Sequence, residues 1–142
     1  MSNQNYSSHS RWVPLYHFFT VLGSLVLLIG SIINLTKSGG ENLYNASLIV
    51  FGSLLLLLTA FYARVFALKA QDRAIVVEEK FRHYLLTGKP LNSKLSVRQI
   101  IGLRFASDEE FPELANKAVV EKLSEKEIKK AITNWKADTY RV

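Results

Sequence analysis

Two stretches decide the fold: VPLYHFFTVLGSLVLLIGSIINL, Val13 to Leu35, and LYNASLIVFGSLLLLLTAFYA, Leu43 to Ala63. Only Thr36-Lys37-Ser38-Gly39-Gly40-Glu41-Asn42 lies between them. A helix rises about 1.5 Å per residue and the hydrocarbon core of a bilayer is about 30 Å thick, so about 20 apolar residues reach across it. Both runs are long enough. The expectation is an all-α protein whose residues 11–63 form a two-span transmembrane hairpin, with spans at about 13–35 and 43–63.

The 142-residue chain carries a formal charge of +6 and no cysteine. Disulfides, thiolate metal sites and cysteine nucleophiles are therefore excluded. Of the 18 Lys and Arg residues, 16 lie from Arg64 onward together with 11 of the 12 Asp and Glu, so the tail is mixed in charge. Arg11 precedes the first run and Arg64, Lys69 and Arg73 follow the second, against Lys37 balanced by Glu41 in the loop. The positive-inside rule then predicts cytoplasmic termini, and the same cations suit anionic lipid headgroups. With one preceding arginine, a long apolar run and no small-residue cleavage site, the first run is expected to stay as an uncleaved anchor.

Residues 1–10 are rich in Ser and Asn and read as a disordered lead. Pro14 belongs to a first helical turn, where its missing N–H costs nothing. Trp12, Tyr16, Phe18 and Phe19 on one run and Phe61, Tyr62 and Phe66 on the other form an aromatic belt at headgroup level. Gly23-Ser24, Gly30-Ser31, Gly52-Ser53 and Thr59-Ala60 recur seven apart, which predicts a close helix-packing seam through Gly23, Gly30, Gly52 and Ala60. His17 is the ionisable side chain well inside a span, and an antiparallel hairpin brings it near Tyr62 and Arg64. His17, Tyr62 and Arg64 are thus the candidate intramembrane polar site, either as a neutral imidazole bonded to Tyr62 or a backbone carbonyl, or as a proton or quinone-type group.

No Pro or Gly interrupts the chain from Ala63 to Thr87, so the second helix should continue through residues 64–88 into the cytoplasm. There Ala63, Ala70, Val77 and Tyr84 alternate with Ala67, Ala74 and Phe81 in a heptad seam, with Glu78 four residues before Arg82 as a supporting pair. The partner of this seam is either the downstream tail, the favoured reading, or the same helix of another copy. Gly88-Lys89-Pro90 ends the helix. Ser96 with Gln99, Ser107 with Glu110 and Ser124 with Glu127 are capping-box pairs, predicting helices over 97–105, 108–123 and 125–135 in a small domain of residues 89–142.

Asp108, Glu109, Glu110 and Glu113 are explained by capping and the helix dipole, without a metal or catalytic role. His9 falls in the lead and His83 on a solvated helix face, so no histidines cluster as ligands, and no cofactor is implied. Lys126, Lys129, Lys130 and Trp135 suit lipid headgroups or an acidic partner, and neighbouring Glu121, Glu125 and Glu127 dilute any nucleic-acid reading.

Val65-Phe66-Ala67-Leu68-Lys69-Ala70-Gln71-Asp72-Arg73, the LRFASDEE stretch from Leu103 to Glu110, KKAITNW from Lys129 to Trp135 and the closing Tyr140-Arg141-Val142 resemble an uncharacterised family of short bacterial membrane proteins, sometimes labelled as transporter permeases. The likeness spans nearly the whole chain, from Pro14-Leu15-Tyr16-His17-Phe18 onward, with Ala137-Asp138 standing where the family pattern has Pro-Asp. It implies two spans and a cytoplasmic helical tail, and no activity. The expected role is a non-enzymatic accessory or scaffolding subunit of a bacterial inner membrane, multi-pass, whose tail binds another protein. The alternatives are a homo-oligomeric pore or proton path lined by His17, and a membrane-tethered regulator that binds nucleic acid.

Overall fold

The computed structural model describes residues 13–138. The predicted disordered lead, with His9, Arg11, Trp12 and the closing Tyr140-Arg141-Val142, lies outside the described residues. The chain divides into two compact units, Arg11–Ala67 and a second formed mainly by Leu68–Val142. Both are helical.

In the first unit a π-helical stretch, Leu15–Leu22, leads into α1, Gly23–Lys37. Pro14 caps that stretch, as its missing N–H requires. The Thr20 hydroxyl donates to the Leu15 carbonyl at 3.1 Å, five residues back, which matches the wider π turn. A short 3-10 turn, Gly40–Asn42, opens α2, Leu43–Thr87. Leu15–Lys37 and Gly40–Thr87 are both long and apolar enough to cross a membrane, and only 11% and 17% of their most apolar windows is buried within the protein.

The seven-residue repeat sets the contact between these helices, but in a column one residue over from the glycines. An added Cβ at Gly23, Gly30 or Gly52 would meet nothing within 4 Å, whereas Ser24, Ser31, Ala46, Ser53 and Ala60 are buried. A step of one residue rotates about 100° around a helix, so each Gly-Ser pair puts only one member on the seam. Serine is the member that can do more than be small. Ser31 Oγ and Ser53 Oγ lie 3.0 Å apart across the interface, while each also bonds a carbonyl of its own helix, Leu28 and Val50.

In the second unit α2 runs on to Thr87 and stops where Gly88 takes a left-handed conformation, φ 68°, its N–H bonded to the Tyr84 carbonyl at 2.8 Å. Three short helices follow, α3 at Val97–Leu103, α4 at Phe111–Val120 and α5 at Glu125–Ala131. Ser96 with Gln99 and Ser124 with Glu127 close complete capping boxes. All three helices are shorter than their sequence periodicity predicts. The clearest case is α5, which ends at Ala131 because the chain turns extended at Ile132 and pairs with the segment after α3. Ser107 N–H bonds the Asn134 carbonyl at 3.1 Å and Lys136 N–H the Phe105 carbonyl at 2.8 Å.

Leu103, Phe105, Phe111, Ala118 and Ile128 make the centre of the core, with Val76 of α2, Leu123 and Trp135 packed around it. Gly102 marks the tightest crossing, where a Cβ would lie 3.2 Å from the Glu125 carbonyl of α5.

Two stability outcomes follow from this geometry. Ser53→Ala should cost about 0.6 kcal/mol, the usual worth of one polar contact between helices in lipid, and Ser53→Leu several times more because it forces the seam apart. Unfolding in mixed micelles, with Gly52→Leu as the near-neutral control, checks both. Lys122 is left-handed at φ 52° just beyond α4, and Lys122→Gly should stabilise the protein by about 1 kcal/mol in chemical denaturation.

Candidate functional site

At the end of the hairpin His17 is half-buried, and its Nδ1 lies 2.9 Å from the carbonyl oxygen of Val13 and 3.1 Å from the Val13 amide nitrogen. The imidazole therefore engages the backbone one turn earlier in its own helix, one of the two structural roles its position allows. A second polar tie between the two helices, besides Ser31 and Ser53, comes from Tyr16, whose hydroxyl donates to the Ala60 carbonyl of α2. Tyr62 is exposed, stacked on Phe66 with ring centroids 5.8 Å apart and edge-on to Phe61, and Arg64 is half-buried. Phe18, Phe19, Phe61 and Phe66 are exposed, as rings of an aromatic belt are. Beside them an open hollow of about 510 Å³ is walled chiefly by Phe18, Phe19, Leu22, Val26, Leu27 and Leu56. No charged side chain lines it, so its walls suit an apolar chain.

The densest polar arrangement lies in the second unit, and Arg82 is its centre. The guanidinium donates through Nε to Asp108 Oδ1 at 2.7 Å, through one terminal nitrogen to Glu79 Oε2 at 3.0 Å and through the other to the Ala106 carbonyl at 2.7 Å. Its carbon stands 4.7 Å from the centre of the Phe111 ring. Helix position i−3 wins over i−4: the expected Glu78 partner stays exposed, and Glu79 takes the bond because its side chain points under the tail. His83, expected on a solvated face, is buried beside this cluster. Its Nδ1 lies 2.9 Å from the Lys89 carbonyl oxygen, and its ring meets Phe111 edge-on at 5.8 Å. Burial pushes the Glu79 carboxyl above its ordinary range against the pull of Arg82, whereas the Arg82 hydrogen bond draws Asp108 below its own.

The heptad seam is therefore not where the tail docks. The tail covers Ile75, Glu79 and His83 of α2, whereas Ala63, Ala70, Ala74, Val77 and Phe81 are exposed and Ala67 is half-buried. The acidic group after α3 is likewise divided among separate tasks. Asp108 meets Arg82, and the Glu110 carboxylate accepts the backbone N–H groups of Thr133 and Asn134 at 3.2 to 3.3 Å. The third capping box is thus half formed: Glu110 N–H reaches Ser107 Oγ at 3.4 Å, but its carboxylate is spent on the segment after α5. Among the described residues no group of three His, Asp or Glu side chains is placed to hold a metal.

Of the four positions singled out at the end of the chain, Lys129 and Trp135 pack on the core. Lys129 pairs with Glu125 at 2.6 Å and lies 5.4 Å from the Phe105 ring centre, and Trp135 packs on Phe105 at 5.0 Å. Lys126 and Lys130 are exposed. Arg104, also missed as a contributor, lies over Phe105 at 4.6 Å and pairs with Asp138 at 3.3 Å. A signal for Arg82 is present in the sequence: it is a cation with carboxylates both three and four residues before it.

The model of a family of unknown function, DUF6526, matches residues 1–142. The chain is a DUF6526 protein. No curated protein and no solved structure matches it. Membership agrees with the resemblance to an uncharacterised family that the LRFASDEE and KKAITNW stretches suggest, and the structure assigns those stretches to the junction around Arg82, Asp108, Glu110 and Trp135 in this DUF6526 chain.

The two carboxylates of the junction predict opposite pH dependences. Glu79, raised when folded, contributes stability that is present below its ordinary 4.5 and is lost as pH climbs through the higher folded value. Asp108, lowered when folded, contributes stability that is present above 3.8 and is lost as pH falls through its folded value. Glu79→Gln should therefore remove a loss on the rising side, and Asp108→Asn a loss on the acid side, in denaturation midpoints measured from about pH 3 to about pH 7, a range that brackets both ordinary values.

Proposed function

We propose that this DUF6526 protein is a non-enzymatic accessory or scaffolding subunit of a bacterial inner membrane, with both termini cytoplasmic and the helical tail as its partner-binding element. The observation that carries this reading is the contrast between the two units. Leu15–Lys37 and Gly40–Thr87 keep only 11% and 17% of their most apolar windows buried, far too little for core helices of a water-soluble fold, so a lipid environment is the natural cover. In the second unit the chemically capable side chains, Arg82, Asp108, Glu110 and His83, are committed to holding helices and turns together.

What the tail leaves open is surface. Lys126 of α5 is exposed beside the structural Lys129, and with Lys130, whose charge also acts on Glu127, it suits anionic headgroups or an acidic patch on another protein. Arg98, exposed on α3, lies 3.9 Å from Glu125, which keeps the local field mixed and disfavours nucleic acid. The contact of His17 Nδ1 with the Val13 backbone gives a pore lined by this residue no special support.

Photocrosslinking in native membranes from Lys126 and Lys130, followed by mild solubilisation and mass spectrometry, tests the reading. A foreign membrane or cytoplasmic subunit recovered in fixed ratio is the expected result, diminished by Arg82→Leu, which releases the tail from α2. A periplasmic reporter active when fused after Val142 would overturn the topology, and tail crosslinks that contain no foreign protein would overturn the accessory role.

A further inference from the structure

The outer half of α2 has two faces, and the structure covers one of them. Ile75, Glu79, Arg82 and His83 lie under the tail, while Val77 at 68%, Phe81 at 61%, Tyr84 at 55% and Leu85 at 67% remain exposed. Ala70 and Ala74 continue the exposed face toward the first unit. In heptad terms Ala74 and Phe81 occupy one core position, and Ala70, Val77 and Tyr84 the other. The covered residues fall on the outside positions of the same repeat. A coiled-coil seam and a docked tail therefore fit the helix at once.

We infer that this face pairs with the same face of a second copy as a short parallel coiled coil. The flanking charges select the occupant and its direction. Arg73 and Lys80 fall on one side of the core and Glu78 on the other, and all three are exposed. In a parallel pair, the residue flanking one heptad faces the residue five places further along on the partner helix, which sets Arg73 opposite Glu78 of the other copy, twice by symmetry. In an antiparallel pair Arg73 and Lys80 would face each other and repel. Parallel is also the direction imposed on two copies inserted in one membrane with one orientation, since the seam belongs to the same helix as the second apolar run. Ala70 and Ala74 allow close backbone approach, and Phe81 and Tyr84 supply the apolar area. Confinement to a membrane raises the effective concentration enough for little more than two heptads to pair. This inference rests on the exposed face, on its flanking charges and on the membrane placement proposed above, and does not depend on the accessory role.

The chain has no cysteine, so single-cysteine variants of the full protein read the interface directly in isolated membranes. On mild oxidation Ala70→Cys, Val77→Cys and Tyr84→Cys should each give disulfide-linked homodimer several-fold above Lys69→Cys and Leu86→Cys, which are exposed but off the seam. With the Val77→Cys reporter, Arg73→Glu alone and Glu78→Arg alone should each reduce the dimer several-fold, and the double swap should restore it. Equal yields on and off the seam, linkage only to other polypeptides, or a double swap no better than the singles would overturn the inference.

Discussion

A guanidinium taken out of water must have its donors matched, and that requirement organises the second unit around Arg82. Its bonds run to Glu79 of its own helix and to a carboxylate and a backbone carbonyl two residues apart in the segment after α3, so one side chain ties two distant parts of the chain. Removing a partner of such a buried charge typically costs about 3–5 kcal/mol, because the remaining charge is left uncompensated. A domain this small buries too little apolar area to be indifferent to a loss of that size. The helix of α2 is therefore a wall of the small domain, with Val76 touching the core and Arg82 fastening the LRFASDEE segment to it. Phe111 completes the fastening by presenting its ring to the cation and its edge to His83.

The elements that local chemistry dictates were legible in the sequence. Pro14 begins the first helix, Gly88 ends the second, and two of three Ser-x-x-Glu/Gln pairs close their boxes. Each needs only residues within a turn of one another. Legibility failed where a side chain had a choice between a near partner and a distant one. Glu110 leaves the cap of α4 for the amides of Thr133 and Asn134, and α5 stops early because the segment around Trp135 gains backbone bonds to the segment at Phe105. Such choices are settled by tertiary contacts that no window of ten residues contains.

The small-residue seam fails in a more instructive way, because its period was right and its column was not. Glycine permits the closest approach of two backbones, yet the structure brings serine to the interface. On a seam closed to water a hydroxyl must find its partner within the protein, so each seam serine donates to a carbonyl of its own helix and Ser31 and Ser53 also meet each other. The small side chain keeps the helices close while its polarity is satisfied, and glycine offers only the first of these. A polarity rule added to the size rule would have chosen the correct member of each Gly-Ser pair, whereas at Thr59-Ala60 size alone decides and Ala60, named from the sequence, is the buried member.

The same rule of one face per task explains how α2 carries two kinds of repeat. Ala46, Ser53 and Ala60 are seven apart and face α1 in the first unit, and Ile75, Glu79, Arg82 and His83 follow a spacing of three and four under the tail in the second. The heptad from Ala70 to Tyr84 is carried by the remaining side of the outer half, which no element among the described residues covers. A helix free of any further packing demand would place charge there, as Lys69 and Lys80 do beside it. Instead the side holds alanine, valine and aromatic residues with opposite charges at its margins, a composition that costs solubility unless it is covered. Pairing with a second copy covers that side and leaves the opposite face, under the tail, undisturbed.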